Sequence, residues 1–281
     1  MILTDIKLEP ESHTAGYKAF LDYFKLIPGS GGIAFLHELF RCFAQIPYEN
    51  ISKIIRFNQN RNGGSTLIRL PEQVIFDHIY HQLGGTCFSL TYFLQSLLTL
   101  SGYQCYPVMA DMRAGKNIHC CLVVLLDGLK YLVDPGYLLN KPFALSHETR
   151  QIYHVDFAGV ELRFDAISET YNLFTFNKND TKWRYAFQDR AVSADEFLQH
   201  WLNSFDRNSM HGICLSKNVK DGILFVNRTF MRETTYYGKK NFNIRQNYHN
   251  AIKENFGIDE QIVEQAQTAL FENLKKKQIA V

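Results

Sequence analysis

The chain has 281 residues, 46% of them hydrophobic and 21% charged, with a net charge of +2. That composition suits a large soluble core, and it excludes disorder and any bulk electrostatic case for nucleic acid or an anionic membrane. No apolar run reaches the ~20 residues of a bilayer span, and MILTDIKLEP carries no signal-peptide pattern, so neither a membrane nor nucleic acid is expected as a partner.

In chain order, apolar residues recur at helical spacing through residues 15–45, in GYKAFLDYFKLI and GIAFLHELFRCFA, broken by Pro28-Gly29-Ser30-Gly31-Gly32. NQNRNGG at 58–64 reads as a loop, and LPEQVIFDHIYHQ at 70–82 as a helix with Pro71 in its first turn. A helix from Cys87 to Ser101 follows, stopped by Gly102. Strands are then predicted at 104–112, 118–126, 129–133, 161–165, 171–176 and 184–188. SADEFLQHWLNS (193–204) reads as a helix opened by a Ser193/Glu196 capping box. A strand over 222–232 and helices over 248–256 and 260–276 close the chain. The fold class is α+β: a helical region, a β region and a smaller mixed region.

The six cysteines (42, 87, 105, 120, 121, 214) show neither CxxC pairs nor disulfide spacing, which predicts a reducing, cytoplasmic setting. His78 and His81 share a helix face without a third ligand, so no metal is expected. Gly31-Gly32 and Gly63-Gly64 lack the context of a phosphate loop.

Cys87 carries more information. Gly84-Gly85 deliver it into the first turn of a helix, where the dipole favours thiolate. His119 and Asp134 supply an imidazole and a carboxylate. A two-residue turn at Asp127-Gly128 pairs 126 with 129 and, down the ladder, 121 with 134. Asp134 and His119 then share a face as diagonal neighbours, ~7–8 Å apart at the backbone. Each residue also has a plain reading: a small buried thiol, a satisfied core histidine, a turn aspartate. Together they form the parts of covalent cysteine catalysis, with Cys87 as nucleophile, His119 as base and Asp134 as its orienter.

These residues resemble the arylamine N-acetyltransferase family over nearly the whole chain. Leu83 to Ser89 matches Arg-Gly-Gly-x-Cys-Phe/Leu-Glu/Gln, and Pro47-Tyr48-Glu49-Asn50 matches Pro-Phe-Glu-Asn. Val133 to Leu138 matches Val-Asp-x-Gly-Phe-Gly, and Phe256-Gly257-Ile258 matches the motif near the carboxyl end. The resemblance implies a helical bundle (1–102), a β-barrel (103–206) and an α/β lid (207–281) around a core similar to cysteine proteases. It implies ping-pong transfer of an acetyl group from acetyl-CoA to an arylamine or hydrazine, with Tyr48, Phe88 and Gly136 as substrate contacts and a core position as the alternative for Tyr48. Leu83, Ser89 and Leu138 depart from the motifs. Leu83 replaces the arginine that pairs with the motif glutamate, so Glu49 is expected to use Arg41 or Lys53. The departures leave open another thioester donor, as in an amide synthase, and the triad also suits a thiol hydrolase or transglutaminase-like enzyme.

Overall fold

The computed structural model describes residues 6–29, 31–60, 67–148 and 150–279. Its elements are α1 (Thr14–Phe24), α2 (Ile33–Phe43), β1 (Tyr48–Glu49), α3 (Ile51–Gln59), α4 (Pro71–His81), α5 (Cys87–Leu100), β2 (Gln104–Met112), β3 (Gly115–Leu126) and β4 (Leu129–Val133). They continue with β5 (Phe143–Leu145), β6 (Gln151–Val155), β7 (Ala158–Asp165), β8 (Thr170–Phe176), β9 (Thr181–Gln188) and α6 (Ala194–Asn203). The last are β10 (Cys214–Val219), β11 (Gly222–Asn227), β12 (Phe230–Thr235), β13 (Lys239–Asn243), α7 (Tyr248–Phe256) and α8 (Glu260–Ile279).

Among the described residues the strands form two sheets. One has eight antiparallel strands in the order β5-β4-β3-β2-β9-β8-β7-β6. Its two edges meet through side chains: the Tyr153 hydroxyl donates to the Ala144 carbonyl at 2.8 Å, and the Phe143 and Tyr153 rings stack at 4.5 Å. These contacts bring the sheet close to a closed barrel, protecting edge groups that would otherwise pair with another chain. The other sheet runs β1-β10-β11-β12-β13.

α5 is the hub of the fold. Leu90, Phe93, Leu94, Leu97 and Leu98 are fully buried in a core shared with α1, α2 and the barrel. Phe88 and Tyr92, on another face, belong to a second core with α3, α6, α7 and α8. A helix apolar nearly all round is a buried helix, which fixes its first turn rigidly. The regions interlock elsewhere too. β1 pairs with β10, Asn273 Nδ2 donates to the Ile54 carbonyl at 3.2 Å, and the Asn50 amide donates to the Ser209 and Gly212 carbonyls.

Several expectations need correction. The strand expected over 222–232 is two strands, folded at Asn227-Arg228-Thr229 with Arg228 at φ +54. The unbroken β-type composition hides a turn that Asn and Arg occupy. The loop expected at 58–64 begins later, since α3 continues through Gln59, and 61–64 lie outside the described residues. The capping box is half formed. Ser193 Oγ accepts from the Glu196 N–H, while the Glu196 carboxylate faces Arg190 and His200. β10 and the wholly exposed β13 escaped detection because their alternation is too weak to register.

Candidate active site

The hairpin runs from Leu126↔Leu129 to Leu122↔Val133, and Asp134 follows directly. The sequence reading of this turn thus gives the observed register. His119 Nε2 lies 2.8 Å from Asp134 Oδ2, with Asp134 fully buried and His119 4% exposed. The other carboxylate oxygen accepts the Tyr137 N–H at 2.9 Å. The imidazole also packs on the Tyr185 ring at 4.9 Å. Its remaining nitrogen, Nδ1, is free to serve Cys87.

Cys87 is the first residue of α5, after Thr86 in extended geometry. Close packing explains the two glycines before it, against main chain at Gly84 and against the Ser89 side chain at Gly85. A Cβ on Gly84 would sit 1.8 Å from the Pro47 carbonyl oxygen, inside van der Waals contact with main chain that cannot yield. The segments are tied there by Gly85 N–H to the Pro47 carbonyl and Glu49 N–H to the Gly85 carbonyl. Gly136 makes the corresponding room on the other side. A Cβ there would lie 2.7 Å from Cys87 Cβ and 3.0 Å from His119 Cε1. Gly136→Ala is therefore expected to part thiol and imidazole and to slow Cys87 acylation by about 100-fold, the size of loss that a ~1 Å misplacement can bring. Rapid-quench acylation kinetics measure this, and an unchanged rate rules it out.

The electrostatics favour an ion pair. The Cys120 thiol beside Cys87 is the largest influence holding it well below the ordinary thiol range; His119 and the Lys53 charge act the same way, against the cost of burial. Burial pulls His119 down, but the Asp134 charge and hydrogen bond, with Cys87, outweigh it and raise the imidazole to about 10. With the thiol lowered and the imidazole raised, the site holds thiolate and imidazolium at neutral pH. Alkylation of Cys87 by iodoacetamide should accordingly stay level across pH ~8.5, where a free thiol titrates. A sigmoidal rise centred there would contradict the pair.

The Pro47–Asn50 motif is mainly structural. Asn50 clamps the 209–214 segment, accepting from the Cys214 N–H at 2.8 Å. Glu49, fully buried, accepts from Ser52 N–H at 2.8 Å and Ser52 Oγ at 2.5 Å. Its cation is neither Arg41 nor Lys53 but Arg69, at 3.3 Å. Arg69 also donates to Ser52 Oγ (2.6 Å), the Gly84 carbonyl and Asp77 (2.6 Å). Leu83, where the family motif has arginine, is buried in the core instead. Arg69 thus reaches the same carboxylate from just before α4, a substitution in space that no local spacing announces.

A cavity of about 860 Å³ opens on Cys87 and His119. Tyr48, Gly136 and Phe88 line it, and the Phe88 ring packs on Phe197 (5.4 Å) and Trp201 (6.3 Å). Leu138 lines it at φ +57, a left-handed geometry that costs a non-glycine residue ~1–2 kcal/mol. Lys53, Arg207, Lys182, Arg184, Arg232 and Lys239 also face it; of these the sequence pointed only to Lys53, and to it as a partner for Glu49 rather than as a cavity residue. No sequence spacing marks Cys120, because its value lies in being next to Cys87 in space. Among the described residues no cluster of His, Cys, Asp and Glu is placed to hold a metal, and no helix is long and apolar enough to cross a membrane.

Comparison with known proteins gives the family and the fold. An N-acetyltransferase family model matches residues 33–265. The chain belongs to the arylamine N-acetyltransferase family. The family is one of acetyltransferase enzymes, and its solved members share this fold. The enzyme from Salmonella typhimurium superposes with a TM-score of 0.73 at 16% identity, covering 91% of this chain and 98% of that one. The enzyme from Mycobacterium abscessus gives 0.76 at 14% identity, covering 90% and 94%. An arylamine N-acetyltransferase from Bacillus cereus, described as having a Cys-His-Glu catalytic triad, gives 0.67 at 18% identity, covering 87% and 98%. In sequence, the chain is 27% identical over 155 residues to proansamycin X synthase of Amycolatopsis mediterranei (strain S699). That match spans 49% of this chain and 57% of the synthase.

Proposed function

We propose that this arylamine N-acetyltransferase family member moves an acetyl group from acetyl-CoA to the nitrogen of an arylamine or hydrazine, in ping-pong fashion, through an acetyl-Cys87 thioester. The observation that carries the reading is Cys87 at the start of α5 in one cavity with an imidazole anchored by a buried carboxylate. In the first half, the Cys87 thiolate attacks the thioester carbonyl, and free N–H groups in the first turn of α5 face the developing oxyanion. The C–S bond to CoA breaks, and the departing thiolate takes the proton from His119. In the second half, the amine attacks the acetyl-Cys87 carbonyl, neutral His119 accepts the amine proton, and the Cys87 thiolate leaves. Asp134 holds the ring for both steps.

The cavity suits such substrates. Its volume accommodates a flat aromatic amine with a thioester arm, and Tyr48, Phe88 and Gly136 shape the wall beside the sulfur. Lys182, Arg184, Arg232 and Lys239 lie around it with Asp180 as the single lining acid among the described residues, which favours the phosphates of CoA. The three regions would divide the work: 1–102 supplies Cys87, 103–206 supplies His119 and Asp134, and 207–281 covers the cavity. The setting is cytoplasmic, with no metal and no nucleic-acid or membrane partner.

Intact mass spectrometry after incubation with acetyl-CoA tests the reading. One acetyl group is expected on the wild-type protein, absent from Cys87→Ala and discharged by an arylamine. Failure to label overturns it, and release of free acetate without amine acceptance makes the enzyme a hydrolase. Similarity to proansamycin X synthase, with Leu138 in the cavity wall, favours a second reading in which another thioester is the donor. Labelling by a different acyl thioester in preference to acetyl-CoA would select it.

A further inference from the structure

We propose that the part of the cavity between α3 and the 204–209 connection is an anion subsite, in which Lys53 and Arg207 receive a carboxylate carried by the acyl chain or by the amine. This rests on the reading of Cys87 as the acyl carrier.

Lys53 is 7% exposed. Its ammonium donates to the Ser204 carbonyl at 3.1 Å and Ser204 Oγ at 2.5 Å, and lies 4.3 Å from the Phe205 ring centroid. An ammonium has three N–H donors, so one remains after Ser204. Arg207 donates from Nη2 to the Asn117 carbonyl at 3.0 Å, while its Nη1 is buried without a partner. Both side chains line the same cavity as Cys87, with Ser204 and Ser209 beside them. A buried donor left unpaired is costly, and a guanidinium with a spare face matches the geometry of a carboxylate.

Charge balance points the same way. Asp206, between Ser204 and Arg207 in the chain, is exposed to solvent, and Asp180 is paired with Lys182 at 3.1 Å. In the free enzyme the Cys87 thiolate partly offsets the two cations. Acylation turns that thiolate into a neutral thioester as His119 gives up its proton, which removes one of the negative charges acting on Lys53 and Arg207 and leaves Asp206 acting on Lys53. Burial, with the neighbouring Arg207 charge, holds Lys53 down to about 7 against the charges of Cys87, Cys120 and Asp206. A second-step ligand carrying a carboxylate, or an acyl chain ending in one, would restore the balance.

Calorimetry on Cys87→Ala protein reads the subsite without turnover. One arm compares malonyl-CoA with butyryl-CoA, and the other 4-aminobenzoate with 4-aminobenzamide. In at least one arm the charged member is expected to bind about tenfold tighter or more. Arg207→Gln and Lys53→Met should each cut that ratio about tenfold, with Arg207→Lys keeping part of it. The arm that responds identifies the source of the carboxylate. Equal binding in both arms, or a ratio that survives both substitutions, overturns the proposal. Because these ratios are independent of acyl transfer, failure of acetyl labelling and failure of the subsite are separate results.

Discussion

Asp134→Asn should slow acylation of Cys87 by about 10³–10⁴-fold while leaving the fold intact, a loss of the size seen when a triad histidine is held in the wrong tautomer. The local hydrogen bonds fix the sign. Asp134 receives two donors, the Tyr137 N–H at one oxygen and His119 Nε2 at the other. The Tyr137 N–H can only donate, so an asparagine must turn its oxygen toward it and its NH2 toward His119. Nε2 then has to accept, the ring proton moves to Nδ1, and that nitrogen can no longer take a proton from Cys87. Loss of the carboxylate charge also removes the largest influence that raises His119. Two measurements check this: rapid-quench acylation, and the iodoacetamide profile, which should shift toward that of an ordinary thiol. A rate within tenfold of wild type would show that Asp134 does not orient the ring.

Arg69→Met should cost about 3–5 kcal/mol of stability, since it strands a buried carboxylate whose cation is gone. Arg69 is 5% exposed and Glu49 fully buried, so solvent screens little of this pair. The partly exposed Asp77 adds little. The lost contacts to Ser52 Oγ and the Gly84 carbonyl loosen the segment that leads into Cys87. For a chain of this size the change corresponds to a fall in Tm of roughly 6–20 °C, readable by calorimetry. Adding Glu49→Gln should restore part of it, because a neutral amide needs no cation. A Tm within a degree of wild type would mean that the network contributes nothing.

The contrast between these predictions marks what could be read from the chain. The Asp134–His119 pair was legible because a two-residue turn at Asp127-Gly128 sets register locally, and Asp127 and Gly128 hold the positive φ values it needs. Arg69 was not legible. Its carboxylate lies across a close approach of two backbones near Gly84, and an arginine entering from α4's approach fills the space that Leu83 leaves to the core. The roles of Lys53, Arg207 and Cys120 escaped for the same reason: each depends on which distant segments face the cavity, not on its sequence neighbours.

The sequence by itself determined the α+β class, the helix that begins at Cys87 and the hairpin that puts His119 beside Asp134. Periodicity, capping and turn chemistry act over a few residues, and these features need nothing more. Only the tertiary structure decided that β1 joins the β10–β13 sheet, that the barrel edges close through Tyr153, that Arg69 serves Glu49, and that Lys53 and Arg207 look into the cavity. Those arrangements come from burying a shared core, where volume and charge pairing are settled between segments far apart in the chain.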